Sequence, residues 1–389
     1  MKIVLFTHPS FLTSQSMPRF AAMLSDGMEE RGHTVDVLSP KPLFFNIPVP
    51  AQFKKWFGYI DQYIIFPGTV KAKLSSYPKE TLFVFADQAL GPWIPLVADR
   101  PHVIHCHDFL AQQSAKGQMP ENPVGRTGVQ YQKYIRRGYL SGKNFIAVSR
   151  KTQADLHDFY GSVPTVSEVV YNGLTGEFSK GGMAKMRERF SRQTGIDCSK
   201  GYILHVGGNQ WYKNRQGVLE IYSAWRSLRG PDIPLILIGA KPDERLMAAL
   251  KKTGYMDEIH FLSGIDDDLL KTAYAGASVF LFPSLAEGFG WPIAEAMASG
   301  VPVITTNEAP MTEVAGDAAF LIERRPANAA LKGQWAKDSA LVLDQVLKAE
   351  EQARENRIDM GLENVKRFDS KKTLDLIESI YLKVLEKNI

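Results

Sequence analysis

Short apolar segments recur along the chain and are separated by stretches of about helix length. The first half contains KIVLF, TVDVLSP, TLFVFA, HVIHCHD, NFIAVS and SEVVYNG, and the second contains GYILHVGG, PLILIGA, EIHFLSG, SVFLFPS and VPVITTN. Strands that are apolar along their length and alternate with helices are typical of parallel sheets covered by helices on both faces. The pattern predicts an α/β protein with two doubly wound, Rossmann-like parallel sheets.

The length of 389 residues supports two domains, because a single hydrophobic core rarely grows beyond about 300 residues. We predict an N-terminal domain over residues 1–175 and a C-terminal domain over residues 183–370. A glycine-rich hinge at 172–182 joins them, and an amphipathic helix over 371–389 returns toward the N-terminal domain. Open α/β sheets bind ligands beyond the carboxyl ends of their strands, so we expect the two sheets to face a central cleft.

The composition argues against several other classes of protein. Cys106 and Cys198 form no C-x-x-C pair, so neither a disulfide framework nor a structural zinc site is expected. No apolar run approaches the roughly 18 residues of a membrane span, and the N-terminal MKIVLFTHPSF fits a strand better than a signal peptide. The basic residues do not interleave with aromatic ones as in nucleic-acid modules. We expect a cytoplasmic protein with no nucleic-acid partner.

The positive charge of the chain is concentrated in its first half. Residues 1–170 carry 18 Lys and Arg against 13 Asp and Glu, whereas the rest of the chain carries 28 against 29. In the basic half, Trp56 and Phe57 follow Lys54 and Lys55, a combination that could make peripheral contact with the inner membrane surface or with a lipid-linked acceptor. The sequence favours the alternative, in which the aromatic side chains are anchored in the core.

The segment SLAEGFGWPIAEAMASG combines a glycine-rich loop, a helix start and two carboxylates directly after the strand SVFLFPS. Gly288 and Gly290, on either side of Phe289, allow the loop backbone to approach a ligand closely. Pro292 suits the first turn of a helix, since the amide hydrogen that proline lacks would be unpaired there. Loop amides followed by a helix N terminus predict a binding site for a diphosphate or a similar anion.

The two glutamates of this segment suit different parts of one ligand. Glu295 is about one turn into the helix, where its carboxylate could accept hydrogen bonds from both hydroxyls of a ribose. Glu287 precedes the loop and could bind a sugar at the other end of the diphosphate. Together they predict a nucleoside-diphosphate sugar as the ligand. The alternative is a pair of helix-favouring glutamates on a solvated face.

EGFGWPIAEAMASGVPVITTN resembles the Glu-x7-Glu signature of family-4 retaining glycosyltransferases with the GT-B fold. Other segments similar to this family are FIAVSRKTQADL, VVYNG, HVGGNQWYKN, AGASVFLFPS and VKRFDSKKTLDLIESIYLKVL. The resemblance implies a hexosyltransferase of polysaccharide biosynthesis that moves a hexose, with retention, from GDP-mannose or a UDP-hexose to a glycan or lipid-linked acceptor. It also implies that the N-terminal domain binds the acceptor and that the C-terminal domain binds the nucleotide sugar. It implies no metal and no cofactor, because the nucleotide sugar is a co-substrate.

Lys213 follows the strand YILHVGG and is expected to open a helix facing the diphosphate, whose developing charge it would neutralise. Relatives commonly carry an arginine a few residues before this lysine. This chain has Asn209 in that stretch and Arg215 after the lysine. We assign Asn209 and Arg215 to substrate binding, with Arg215 as a weak substitute for the arginine.

The first half contributes one further catalytic candidate. His107 matches the family's acceptor-domain histidine near the donor sugar, and it completes the predicted catalytic set of Glu287, Lys213 and His107. For the pair His105 and His107 of the HVIHCHD segment, the alternative is a metal site, but the sequence offers no second cluster of ligands for it. For His105, a core position with a bond to the backbone is favoured.

Two helix starts provide weaker candidates. Ser14, Gln15 and Ser16 stand where many relatives carry a glycine pair, and Ser16 is assigned to substrate binding. The run from Asp266 to Asp268 could suggest a metal-dependent transferase, but its position before Leu269 favours an N-cap and a first helical turn. No metal site is expected.

Two other functions are compatible with these residues. One is a GT-B-type sugar-nucleotide epimerase, and the other is a non-catalytic module that binds a sugar nucleotide. Phosphorolysis is disfavoured, because it normally needs a pyridoxal lysine and a longer chain. The presence of both glutamates and the lysine favours catalysis over binding alone. The base and sugar of the donor and the identity of the acceptor stay open at this point.

Overall fold

The computed structural model describes residues 1–12, 16–174, 178–228 and 232–387. The chain divides into two compact units. The first comprises Met1–Met119, Pro123–Thr175 and Ser370–Ile389, and the second comprises Pro120–Asn122 and Gly176–Asp369. Ser14, Gln15 and residues 175–177 of the predicted hinge lie outside the described residues.

The described part of the first unit contains a six-stranded parallel sheet in the order β2-β1-β3-β4-β5-β6. Its strands are β1 (Lys2–Phe6), β2 (Thr34–Leu38), β3 (Leu82–Phe85), β4 (His102–Cys106), β5 (Asn144–Ala147) and β6 (Val166–Val169). The intervening helices are α1 (Ser16–Glu30), α2 (Ala51–Ile60), α3 (Phe66–Leu74), α4 (Leu110–Ala115), α5 (Arg126–Tyr139) and α6 (Arg150–Tyr160).

The inner strands of this sheet are buried on both faces. Every residue of β3, β4 and β5 is buried, and Phe6 of β1 stacks on Phe85 of β3 with 4.6 Å between the ring centroids. The edge strands β2 and β6 are largely half-exposed or exposed, because each has a neighbouring strand on one side only. The continuous apolar runs of the sequence are therefore the inner strands of a parallel sheet.

The described part of the second unit contains another six-stranded parallel sheet, in the order β12-β11-β10-β7-β8-β9. Its strands are β7 (Ile203–Val206), β8 (Leu235–Ile238), β9 (Ile259–Leu262), β10 (Val279–Phe282), β11 (Val303–Thr306) and β12 (Phe320–Ile322). Its helices are α7 (Met183–Thr194), α8 (Arg215–Ser227), α9 (Glu244–Lys251), α10 (Asp267–Gly276), α11 (Trp291–Ala298), α12 (Met311–Ala315), α13 (Ala329–Leu347) and α14 (Glu351–Asn364). The predicted α/β fold with two doubly wound parallel sheets is confirmed.

Shorter helical segments complete the described elements. A π-helical turn, Asp61–Ile65, joins α2 to α3. The 3₁₀ segments are Gln88–Leu96, Trp211–Lys213, Met256–Glu258, Gly316–Ala318 and Val365–Phe368.

The strand order of the second sheet reverses between β7 and β10. From β7 the chain adds β8 and β9 on one side of the sheet, and then it crosses back to place β10, β11 and β12 on the other side. The loops that follow β7 and β10 consequently leave the same edge of the sheet as neighbours. Doubly wound sheets bind their ligands at this reversal point.

The C-terminal helix α15 (Ser370–Glu386) belongs to the first unit. The Ser370 hydroxyl donates to the Leu174 carbonyl, and the Thr373 hydroxyl donates to the Tyr171 carbonyl at 3.2 Å. Its buried face includes Ile377. These contacts hold the end of the chain against the segment that follows β6.

None of the helices in the described residues is both long enough and apolar enough to cross a membrane.

Candidate active site

Lys213 lies on a tight turn after β7. The 3₁₀ segment Trp211–Lys213 is followed by Asn214 in the left-handed conformation (φ 51°, ψ 38°), and α8 begins one residue later. The Asn214 side chain accepts a hydrogen bond from the Gly217 amide (3.2 Å) and donates one to the Pro283 carbonyl just beyond β10 (2.8 Å). Lys213 therefore lies just before α8, and its neighbour Asn214 is the N-cap from which the helix begins.

The Lys213 ammonium pairs with the Glu287 carboxylate between the loops that follow β7 and β10. Nζ lies 2.8 Å from Oε1 and 3.0 Å from Oε2, and the Ser284 hydroxyl donates to Oε1 at 2.8 Å. The two charged side chains are only 15% and 7% exposed. The ammonium also lies over the rings of Tyr212 and Phe282. Because the pair is mostly buried, salt screens it little, and losing one partner would leave an unpaired buried charge.

Gly288, Phe289 and Gly290 lie in the loop between β10 and α11. Gly290 has a positive φ of 105°, which favours glycine, and α11 starts directly after it with Pro292 in the first turn. The predicted helix start is confirmed. The Phe289 ring is buried and packs edge-on against Phe368 (5.3 Å between centroids), so the part of Phe289 suited to a ligand contact is its backbone.

Glu295 is buried within α11 rather than placed on a solvated face. It is 3% exposed, and its Oε2 accepts a hydrogen bond from the Tyr274 hydroxyl at 3.0 Å. Tyr274 belongs to α10 and is itself fully buried. The alternative of two glutamates on a solvated face is wrong.

His205 lies in β7, close to Lys213. Its Nδ1–H donates to the Leu281 carbonyl (2.9 Å), and Nε2 is buried without a hydrogen-bond partner among the described residues. Burial lowers the pKa of His205 to about 3, against the hydrogen bond to the Leu281 carbonyl, which raises it, and with a smaller lowering from the positive charges of Arg215 and Lys213. A Cβ at Gly207 would lie 3.1 Å from Nε2 of His205 and 3.4 Å from the Lys213 side chain. Glycine at this position therefore leaves room for both side chains.

Asn209 and Arg215 contact each other and line a different part of the second unit. Arg215 Nη1 donates to the Asn209 side-chain oxygen and to the Ala240 carbonyl (2.8 Å). Both residues line a cavity of about 150 Å³ whose described walls do not include Lys213 or Glu287. The structure therefore separates the residues assigned to the donor into two groups.

His107 follows β4 in the first unit and is buried. Its Nε2–H donates to the Ala86 carbonyl and its backbone amide donates to the Gln88 side chain, each at 2.9 Å. The ring packs edge-on against Phe20 (4.4 Å between centroids), and burial lowers the pKa of His107. His107 is thus a neutral histidine bonded to the backbone, the arrangement that the sequence favoured for His105.

His105 instead contacts a side chain. Its Nε2 lies 2.7 Å from the Tyr381 hydroxyl on α15, and burial lowers the pKa of His105 to about 3. The expected bond from its ring to the backbone is not among those found for the described residues.

The remaining candidates lie at helix starts. Ser16 is the first residue of α1 and is exposed. Asp266 caps α10 by accepting a hydrogen bond from the Leu269 amide (2.8 Å), so that prediction is confirmed. Within the described residues, no three His, Cys, Asp or Glu side chains lie close enough together to hold a metal ion.

Four residues of this region had no role in the sequence analysis. Ser284 and Asn214 belong to quoted motifs, and their capping chemistry could have indicated a hydrogen-bonding role. Tyr274 and His205 carry no such local signal. Their partners, Glu295 and the Leu281 carbonyl, are distant in sequence and are brought near by the packing of α10 and β10.

Solved structures share this architecture over the whole chain. HepE of Anabaena, solved with UDP and glucose, has a TM-score of 0.69 and 18% identity, with 97% of this chain and 99% of that chain covered. Sucrose-phosphate synthase of Thermosynechococcus elongatus has a TM-score of 0.73 and 17% identity, with 100% of both chains covered. The two doubly wound sheets and the glycine-rich loop before α11 define the GT-B class of glycosyltransferase folds.

Sequence comparison specifies the family. The family described as Glycosyltransferase Family 4 matches residues 17–177, and Glycosyl transferases group 1 matches residues 186–357. The chain belongs to the family-4 glycosyltransferases. O-antigen chain mannosyltransferase B of Escherichia coli is 36% identical over 126 residues, which are 32% of this chain and 33% of that protein. An uncharacterized glycosyltransferase of Methanocaldococcus jannaschii is 24% identical over 313 residues, 75% of this chain and 76% of that protein.

The buried His205 generates a prediction about pH. Its ordinary pKa of 6.5 applies in the unfolded chain and falls to about 3 in the folded one, so acid favours unfolding. Below pH 6.5 the folded state should lose about 1.4 kcal/mol of stability per pH unit for such a histidine. His205→Asn should remove that contribution. Urea unfolding of both proteins between about pH 6 and pH 5 gives the change in the free energy of unfolding per pH unit for each. Groups that titrate in the same way in both proteins cancel in the difference between these two slopes. Equal slopes would contradict the prediction.

Proposed function

We propose that this protein is a retaining, metal-independent hexosyltransferase that uses a nucleoside-diphosphate sugar. The observation that carries the proposal is the buried Lys213–Glu287 pair, with the glycine-rich loop and the N terminus of α11 directly after Glu287. A diphosphate at this point would meet an ammonium group, loop amides and a helix N terminus. The donor is assigned to the second unit and the acceptor to the first.

The donor is proposed to be GDP-mannose or a UDP-hexose. Two comparisons support this range: HepE was solved with UDP and glucose, and the Escherichia coli relative is a mannosyltransferase. Glu295, held by Tyr274, is proposed to accept hydrogen bonds from the ribose hydroxyls. Glu287 is proposed to bind the hexose, and His107 to contact it from the first unit. The acceptor is proposed to be a glycan or a lipid-linked sugar.

Retention is proposed because both carboxylates are already committed to binding. Glu287 accepts hydrogen bonds from Lys213 and Ser284, and Glu295 accepts one from Tyr274. A covalent sugar intermediate would need a carboxylate nucleophile, and inversion would need a general base beside the acceptor. We favour same-face displacement, in which the leaving phosphate takes the proton of the acceptor hydroxyl while Lys213 stabilises its charge.

The identity of the donor and the stereochemistry of transfer can be tested in two successive experiments. A panel of UDP, GDP and ADP sugars should identify the donor by the rise in melting temperature that a tight ligand causes. Proton NMR of the product formed in EDTA should then show an unchanged anomeric configuration. An inverted centre would overturn retention, and activity abolished by EDTA and restored by manganese or magnesium would overturn metal independence. Epimerisation of the donor without an acceptor would establish the epimerase alternative.

The role of Lys213 can be tested by kinetics. Lys213→Ala should lower kcat by about a hundredfold, because one preorganised positive charge is lost where the leaving phosphate develops negative charge. The matched control is Lys337→Ala, which removes an exposed lysine from α13 of the same unit and should leave kcat unchanged. Since the variant leaves the Glu287 carboxylate unpaired, kcat is measured on protein shown to be folded by circular dichroism. A kcat within twofold of wild type would exclude Lys213 from the chemistry.

An exposed aromatic surface on the first unit supports peripheral contact with a membrane. Phe53 and Trp56 of α2 are 47% and 56% exposed, and Ile64 of the following π-helical turn is 67% exposed, so the expectation that these aromatics anchor in the core is wrong for Trp56. Trp56 contacts Tyr59, and Tyr59 contacts Tyr63, with ring centroids 5.8 and 5.6 Å apart. Aromatic side chains of this kind are typical of the membrane interface.

The charge around this aromatic surface is positive. Residues 41–75 contain five lysines and one acidic residue, Asp61. Asp61 is buried, and its two oxygens accept hydrogen bonds from the Phe44 and Phe45 amides at 2.9 Å. The exposed lysines therefore have no exposed acidic side chain beside them within this segment. We propose that the surface docks on an anionic bilayer, where a lipid-linked acceptor would reside.

Docking can be tested by sedimentation with vesicles. The protein should bind phosphatidylcholine vesicles that contain phosphatidylglycerol more strongly than pure phosphatidylcholine, and salt should weaken the binding. The double variant Phe53→Ser, Trp56→Ser should lose most of it. Leu341→Ser, which changes a side chain 56% exposed on α13, is the matched control. Equal binding of the double variant and the wild type would contradict the assignment.

A further inference from the structure

The strand order of the first sheet also reverses, between β1 and β3. From β1 the chain places β2 on one side of the sheet, and then it crosses to add β3 to β6 on the other side. The loops that follow β1 and β3 therefore leave the same edge of the sheet as neighbours, as the loops after β7 and β10 do in the second sheet. Doubly wound sheets bind their ligands at such a point. The residues that follow β1 and β3 are thus candidates for a site within the first unit.

His8 and Asp87 form a pair at this reversal point. Phe6 and Phe85 are register partners in β1 and β3, and His8 and Asp87 each lie two residues further along the chain. Nε2 of His8 is 2.8 Å from Oδ2 of Asp87, and the two side chains are 19% and 11% exposed. The hydroxyl of Ser39, which follows β2, donates to the His8 carbonyl at 3.1 Å. The ends of three neighbouring strands therefore fix the position of this histidine and its carboxylate.

The Asp87 carboxylate is held in its ionised form. Its Oδ1 accepts a hydrogen bond from the Ala89 amide (3.0 Å) and so caps the 3₁₀ segment Gln88–Leu96. Burial acts to raise the pKa of Asp87, but the hydrogen bond and charge of His8, followed by His107 and the Ala89 amide, lower that pKa below its ordinary value. An ionised carboxylate can only accept hydrogen bonds. His8 therefore donates to it through Nε2–H.

The other ring nitrogen of His8, Nδ1, has no hydrogen-bond partner among the residues that the structure describes. It is also not one of the unpaired atoms that are buried there. In a neutral imidazole that donates through Nε2, Nδ1 carries a lone pair and accepts a hydrogen bond. Asp87 thus fixes both the orientation and the tautomer of the ring, and it leaves Nδ1 as an acceptor for a ligand.

Aromatic side chains with hydroxyl groups are present in the same region. Tyr63 of the π-helical turn and Tyr131 of α5 share a hydrogen bond of 2.6 Å between their hydroxyls, and the Tyr59 ring stacks on that of Tyr131 (5.3 Å between centroids). Burial raises the pKa of Tyr131 to about 12, against the Tyr63 hydrogen bond, and the charges of Tyr59 and Asp87 act in the same direction as burial. A π-helical turn is frequently found at a functional site. Aromatic rings with a few fixed polar groups are typical of small-molecule sites.

We propose that His8 and Asp87 form an acceptor subsite, in which Nδ1 of His8 accepts a hydrogen bond from a hydroxyl group of a hexoside. The proposal rests on the transferase function above, which assigns the acceptor to the first unit. The hydroxyl is one that does not attack the donor, because the attacking hydroxyl gives its proton to the leaving phosphate. His8 therefore contributes to the affinity for the acceptor, and Asp87 acts through His8 as a positioning residue.

NMR of the wild-type protein tests the contact without turnover. Spectra of the ¹⁵N-labelled histidine rings should show a neutral His8 with its proton on Nε2, and His8→Gln identifies these signals by their loss. The probes are octyl α-glycosides of mannose, glucose and galactose, at least one of which should shift the Nδ1 resonance of His8. A proton on Nδ1 of the neutral ring, or an Nδ1 resonance that no glycoside moves at millimolar concentration, would overturn the proposal even if the variants fail to fold.

Kinetics with the glycoside that binds separate acceptor binding from donor chemistry. His8→Gln keeps an amide donor for Asp87 but has no atom in the place of Nδ1. The KM for the acceptor should therefore rise about tenfold, as for the loss of one hydrogen bond, while hydrolysis of the donor by water stays within twofold of wild type. The matched control is His260→Gln, the same substitution at a half-buried histidine of β9, which should change neither value. An unchanged acceptor KM in His8→Gln would overturn the subsite.

Asp87→Asn tests the positioning role. The Ala89 amide still binds the side-chain oxygen, so the asparagine turns its NH₂ group toward His8, whose ring must then carry its proton on Nδ1. NMR should show this change of tautomer, and the acceptor KM should rise as in His8→Gln. An unchanged tautomer would overturn the role of Asp87, and a changed tautomer with an unchanged KM would overturn the contact with Nδ1. Binding of a glycoside at His8 without transfer from any sugar nucleotide would instead count against the proposed function.

Discussion

The pairing of β7 with β10 is the constraint on which the candidate site depends. These strands are hydrogen-bonded neighbours in the sheet, although they are separated in sequence by two strands and their helices. Beyond their ends, Asn214 donates to the Pro283 carbonyl at 2.8 Å, and the Leu285 amide donates to the Tyr212 carbonyl at 2.7 Å. The two loops are thus held together by hydrogen bonds between uncharged groups, and the Lys213–Glu287 pair forms on that support. An ion pair between residues so far apart in sequence needs such support, because ordering two free loops would cost more entropy than the pair recovers.

The buried polar groups of the second unit form two separate systems. Glu287 is satisfied by Lys213 and Ser284, whereas the buried Nε and Nη2 of Arg215 have no hydrogen-bond partner in the part of the chain that the structure describes. Asn214 lies between the two systems in sequence, and its left-handed conformation is stabilised by its bonds to the Gly217 amide of α8 and to the Pro283 carbonyl after β10. Asn214 therefore separates Lys213, which pairs with Glu287, from Arg215, the first residue of α8, which lines the cavity.

In the first unit, the partners of the histidines and the exposure of Trp56 differ from what the sequence suggests. His105 and His107 are both buried and neutral because of desolvation, but one contacts Tyr381 of the C-terminal helix and the other contacts the backbone. Trp56, beside two lysines, remains exposed because the buried face of the α2 region is supplied by residues such as Gly58 and Gln62. Local sequence cannot distinguish these cases, since apolar and aromatic residues have the same preference for burial wherever they occur.

The sequence by itself determined the architecture and the position of the loops. Short apolar runs such as LFVF and VFLF, set between stretches of helix length, are typical of inner strands of a covered parallel sheet, and Gly290 with Pro292 marks the start of α11 locally. Hydrophobic periodicity and backbone preference act over a few residues, so they can be read locally. Tertiary structure alone decided the partners: that Lys213 reaches Glu287, that Tyr274 holds Glu295, and that Arg215 turns to Asn209 and lines another cavity. The physical reason is that the strand order decides which atoms surround a buried charged side chain, and these atoms decide where it points and which group pairs with it. No local pattern in the sequence contains that order.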